Sequence, residues 1–79
     1  MKVSVLFFGA TADAVGGREV EIDLADGSNA DDAFAEIISA YPNLKQHKLL
    51  FAVNHEYADS NKIICNGDEL AVFTAVSGG

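Results

Sequence analysis

The chain has 79 residues, 49% of them hydrophobic and 22% charged, a length and balance that fit one small soluble globular domain and exclude a disordered segment. Five basic residues against twelve acidic ones leave a net charge of −7 with no Lys/Arg cluster, which argues against nucleic acid or an anionic membrane as partner. No apolar run approaches the roughly 20 residues of a bilayer-spanning helix, and Met1-Lys2-Val3 leads straight into a strand pattern without a cleavage signal, so a cytoplasmic protein is expected.

From Val3 the residues alternate, placing Val3, Val5 and Phe7 on one face of a strand and Ser4, Leu6 and Phe8 on the other. Gly9 ends the strand, Thr11 to Val15 has the length of one helical turn, and Gly16-Gly17 breaks the chain again. In the second strand Val20, Ile22 and Leu24 alternate with Glu19, Glu21 and Asp23, so its acids face water. Asp26-Gly27 closes it.

Asn29 is placed as a helix N-cap, with Asp32 three residues on able to reach back and Asp31 favourable in the positive first turn. Ala30, Ala33, Phe34, Ile37, Ile38 and Tyr41 recur at steps of three and four, forming the apolar stripe of a helix that must lie on the sheet. Pro42 stops that helix at Tyr41, because the residue before a proline avoids the helical region. Asn43 to Lys48 reads as a polar connection.

Leu49 to Val53 is a third strand, apolar throughout, and Asn54-His55-Glu56 leads out of it to Tyr57. Ala58 to Lys62 is loop-like, Ile63-Ile64-Cys65 is suited to a short edge strand, and Asn66-Gly67-Asp68 signals a turn. The last strand, Glu69 to Ala75, puts Leu70, Val72 and Thr74 on one face and Ala71, Phe73 and Ala75 on the other.

This order predicts an α+β roll: a mixed sheet of four to five strands with one main helix packed across one face. The first and last strands sit side by side and parallel, because the helix supplies the crossover. Residues 1–75 make the single domain and residues 76–79 a tail.

Little in the chain suits catalysis on its own. Cys65 is the single cysteine; it follows two isoleucines, where a buried, inert thiol is the usual state, and with only His47 and His55 beside it no zinc spacing arises. Asp68 and Glu69 follow Asn66-Gly67 and read as turn residues. The tail is different. Val76-Ser77-Gly78-Gly79 carries a terminal carboxylate on an arm whose last two residues lack Cβ atoms, so it suits a channel too narrow for other residues. Extended, these four residues reach about 13–14 Å.

With one helix on one face, the sheet's other face should be polar, yet Leu6, Phe8, Ala71, Phe73 and Ala75 point there. Two phenylalanines on neighbouring strands beside the tail make a contiguous apolar surface, expected to bind a partner.

The chain resembles the small subunit of molybdopterin synthase, a ubiquitin-like β-grasp sulfur carrier. The resemblance rests on Val5-Leu6-Phe7-Phe8-Gly9 with Val15-Gly16, on Leu49-Leu50-Phe51-Ala52-Val53-Asn54, on Gly67-Asp68-Glu69-Leu70-Ala71-Val72-Phe73 and on the ending Val76-Ser77-Gly78-Gly79. Thr74-Ala75 stand where that family usually has two prolines. The resemblance implies that Phe8, Tyr57 and Phe73, with Val76 and Ser77, contact the large synthase subunit, and that Gly79, let through by Gly78, is the reactive end. It also implies an ubiquitin-activating-like adenylyltransferase that uses ATP on the Gly79 carboxylate. Sulfur replaces AMP to give a thiocarboxylate, which donates sulfur to cyclic pyranopterin monophosphate. No cofactor or metal is permanently bound in such a protein, and catalytic groups lie on the large subunit. The same tail also fits a carrier for thiazole synthesis or tRNA thiolation, a ubiquitin-like modifier, or a plain interaction module.

Overall fold

A computed structural model of the chain describes residues 1–57 and 59–74. It contains β1 (Lys2–Phe7), α1 (Ala10–Val15), β2 (Glu19–Asp23), α2 (Ala30–Ala40), a 3-10 turn over Pro42–Gln46, β3 (Leu49–Val53), β4 (Glu56–Tyr57) and β5 (Glu69–Thr74). The strands form one sheet in the order β2-β1-β5-β3-β4. Strands β1 and β5 run parallel at its centre, with Val5 opposite Leu70 and Phe7 opposite Val72, and every other neighbour is antiparallel. The predicted mixed sheet is therefore present, with its fifth strand in a different place.

Helix α2 lies across one face because its apolar stripe has nowhere else to go. Ala33 and Ile37 are fully buried with Val3, Val5, Phe7, Leu70 and Val72 from the two central strands. Phe34 meets Phe51 edge-on at 5.8 Å between ring centroids, and Tyr41 meets Phe7 in the same way at 5.8 Å. The Asn29 side chain accepts from the Asp32 N–H at 2.8 Å while the Asp32 carboxylate accepts from the Asn29 N–H at 3.1 Å, completing the predicted capping box. Such a cap contributes about 1 kcal/mol.

Two connections differ from expectation. The stretch after Pro42 is not simply a polar linker: it winds into the 3-10 turn and drives Leu44 into the core, fully buried. Nor do Ile63, Ile64 and Cys65 form an edge strand. Their segment lies over the start of α2, where the Lys62 carbonyl accepts from the Ala30 N–H at 2.8 Å and the Ser60 carbonyl from the Asp31 N–H at 2.9 Å. Donors in a helix's first turn have no partner within the helix, and these two carbonyls supply it. Only a single bridge, Asn29 to Ile63, remains. Ile64 then fills a core position while Ile63 and Cys65 face outward, so the expected burial of Cys65 is overturned.

The fifth strand is instead β4, joined to β3 by the two-residue turn Asn54-His55. Both residues have positive φ, 50° and 71°, the geometry whose twist matches a tight hairpin. Among the described residues, no helix is long and apolar enough to cross a membrane.

Candidate functional site

The face of the sheet opposite α2 is built by register. Leu6 pairs with Ala71, Ala71 with Ala52, and Ala52 with Tyr57, so one row crosses four strands on the outer side. The next row brings Phe73 opposite Leu50. Two alanines at the centre leave room above the backbone, and Tyr57 leans toward Phe73 with ring centroids 6.0 Å apart. The result is an open hollow of about 280 Å³ lined by Ala52, His55, Tyr57, Ala71 and Phe73.

Of the residues expected to contact a partner, Tyr57 and Phe73 thus come together, whereas Phe8 opens onto a second hollow. That one, about 320 Å³, is lined by Leu6, Phe7, Phe8, Gly9, Ala12 and Arg18. Phe8 is 51% exposed and Tyr57 75%, and Phe73 is half-buried. Val76, Ser77, Gly78 and Gly79 lie outside the described residues, as does Ala75.

Thr11 links the two hollows. Its hydroxyl accepts from the Phe8 N–H at 3.0 Å and reaches the carbonyls of Phe8 and Val72 at 2.7 and 2.8 Å, while the Phe8 N–H also approaches the Val72 carbonyl at 3.2 Å. Phe8 is thereby fixed to the residue immediately before Phe73. Sequence reading placed Thr11 only in a helical turn; a lone threonine after Gly9 carries no signal that it will be buried and bonded. His55 was likewise missed as a rim residue, where its Nε2 lies 3.3 Å from the Glu69 carboxylate.

The lower end of β5 is held by a polar clasp. The Asn54 amide donates to the Asp68 carboxylate at 3.0 Å and its oxygen accepts from the Glu69 N–H at 3.0 Å. Asp68 also accepts from the Cys65 N–H at 2.8 Å. The Cys65 bond foremost, then the Asn54 amide, with a smaller attraction from Lys62 and against a small opposing effect of burial, hold the Asp68 carboxyl below its usual value of 3.8. Asp68 thus closes the turn after Asn66-Gly67, while Glu69, expected in the turn as well, opens β5 opposite Ser4.

A depressed folded-state pKa means that the ionised clasp stabilises the fold above the unfolded value and that this contribution fades as pH falls through the folded one. Asp68→Asn is therefore expected to lower the denaturation midpoint at pH 7 and to converge with the parent chain at pH values below the folded pKa. Urea titrations of both proteins across that range check this; a constant gap at all pH values refutes it.

Among the described residues no group of His, Cys, Asp and Glu is arranged to hold a metal ion. The geometry offers instead an apolar face with two shallow hollows beside the strand that leads to the Gly-Gly end.

Residues 5–79 match the ThiS family model. The chain is 34% identical to the molybdopterin synthase sulfur carrier subunit of Chlamydomonas reinhardtii, over 100% of both chains. Its fold is similar to that of small archaeal modifier protein 1 (SAMP1) from Haloferax volcanii, at a TM-score of 0.89 and 27% identity over 100% of both chains. A putative molybdopterin converting factor subunit 1 from Pyrococcus furiosus also gives a TM-score of 0.89 and 27% identity, over 96% of this chain and 99% of that one. With the five-stranded mixed sheet, the crossing helix and a family match that spans nearly its whole length, the chain belongs to the ThiS family of ubiquitin-like β-grasp proteins.

Proposed function

We propose that this chain is the sulfur-carrying small subunit of a molybdopterin synthase. The observation that carries the reading is the end-to-end match to the molybdopterin synthase sulfur carrier subunit of Chlamydomonas reinhardtii. The chemistry follows from the carboxylate. With a pKa near 3.5 it is ionised at neutral pH and is a poor electrophile. An adenylyltransferase joins it to AMP from ATP, releasing pyrophosphate. A sulfide equivalent then attacks the carbonyl carbon, the bond to AMP breaks, and Gly79 ends in a thiocarboxylate.

The sulfur is a good nucleophile, and the large subunit holds it against cyclic pyranopterin monophosphate, so that positioning supplies much of the rate. Two such transfers build the dithiolene. The role of the folded domain is to dock, through the face bearing Phe8, Tyr57 and Phe73, and so to aim the arm. General acids and bases come from the large subunit.

Intact-mass measurement on the protein taken from cells tests this. A gain equal to the difference between one sulfur and one oxygen is the expected result, and its absence under conditions of active cofactor synthesis counts against a carrier. The likeness to a small archaeal modifier protein supports a second reading, in which Gly79 is conjugated to lysines of other proteins. Isopeptide adducts of higher mass in the same spectrum would favour it.

A further inference from the structure

We infer that Arg18 is a specificity-determining contact of the docking face and that it receives a carboxylate of the large subunit, carried beside an apolar side chain that enters the hollow between Leu6 and Phe8. The inference rests on the carrier reading above. Arg18 is one of only five basic residues in a chain with a net charge of −7. Lys2 is already 3.6 Å from Glu21, but Arg18 makes no ion pair among the described residues, although Glu19 is its neighbour in sequence. Among the described residues it is the one charged group lining the hollow of about 320 Å³, whose other walls are Leu6, Phe7, Phe8, Gly9 and Ala12.

The backbone around it is held in place. Gly16 takes a left-handed conformation, φ 78°, that ends α1, and the Arg18 carbonyl then accepts from the Phe7 N–H at 2.8 Å. The guanidinium is thus attached at a fixed point beside Phe8, and Phe8 is bonded to the strand that carries Phe73. Elsewhere the chain's net charge repels an acidic segment. At this hollow a planar fork of donors faces an apolar recess, and a carboxylate next to a hydrophobic side chain meets both needs at once. Charge complementarity at this spot selects a partner surface that is acidic here, and rejects one with a lysine or arginine in the same place.

The test is titration calorimetry of the chain with the large subunit from the same organism, at low and high ionic strength. Arg18→Ala is expected to weaken binding about tenfold at low salt, and Arg18→Glu further, because a like charge then faces the partner's acid. Arg18→Lys should recover only part of the affinity lost in Arg18→Ala, since the charge remains but the planar fork is lost. The deficit of Arg18→Ala should shrink as salt is raised. All variants should melt with the parent chain, because the side chain is exposed. Binding of Arg18→Ala and Arg18→Glu within twofold of the parent, while Phe73→Asp weakens it about 30-fold or more, overturns this inference and leaves the carrier reading standing. Normal binding by Phe73→Asp as well overturns the docking face on which both rest.

Discussion

A chain ending at Gly78 is expected to support no molybdopterin formation when mixed with the adenylyltransferase, ATP, a sulfide source, the large subunit and cyclic pyranopterin monophosphate, while melting at the same temperature as the parent. Removing one residue draws the carboxylate back by about 3.3–3.6 Å. Misplacement of a reacting group by about 1 Å already costs on the order of a hundredfold, so a shift of several ångströms removes the transfer altogether. Adding a residue after Gly79 fails for the complementary reason: the carbonyl at position 79 becomes an amide, which cannot be adenylated, and the new carboxylate overshoots. Stability should not follow activity, because the fully buried residues among those described run from Val3 to Val72 and carry the core without Gly79. Product assayed with the truncated chain at the parent's rate would end the carrier reading.

The role given to Gly79 in the sequence came from the outward phenylalanines and the family resemblance; the fold was legible for a different reason. Where apolar residues recur with a regular period, as in β1, β2, β5 and α2, the period states which face is buried, and Phe7, Ile37, Leu70 and Val72 lie where it puts them. Where a single residue decides, there is no period to read. Leu44 sits among Asn43, Lys45 and Gln46 and still reaches the core, because Pro42 starts a turn that a polar composition does not announce.

Competition for hydrogen bonds was equally hidden. Ile63-Ile64-Cys65 has the composition of a strand, but the neighbouring carbonyls of Ser60 and Lys62 are needed by the first donors of α2, and that requirement can be seen only once the two segments are adjacent. The same holds for the outer face. Alternation identified Phe8 and Phe73 as outward-pointing, yet their separation into two hollows depends on Ala71 and Ala52 meeting in register and on the Thr11 hydroxyl that ties β1 to β5. Arg18 enters the second hollow through a glycine turn whose direction no periodicity records.

Phe73→Asp is expected to weaken association with the large subunit by about 30-fold or more, the effect of removing a central aromatic anchor of at least ~2 kcal/mol. The position matters more than the residue type. Phe73 stands on the outer face opposite Leu50, next to Tyr57, and immediately after Val72, whose carbonyl accepts from the Phe8 N–H, so a partner covering both hollows must cover it. A standard interface of about 1,600 Å² in total is large enough to do so. In the complex an aspartate there is stripped of water without a partner, which costs more than the lost contact.

In the free chain the same aspartate faces solvent, and the loss is confined to the ring contact with Tyr57, on the order of 1 kcal/mol. Binding should therefore fall much further than stability, and thermal melts beside the calorimetry separate the two. Phe8→Asp supplies the control on the fold, since Phe8 is half exposed and outside the described core. It should weaken binding in the same direction while leaving the melt unchanged. Parent-like affinity in both variants would mean that the large subunit approaches by another surface, and that the apolar face beside β5 does not aim the arm.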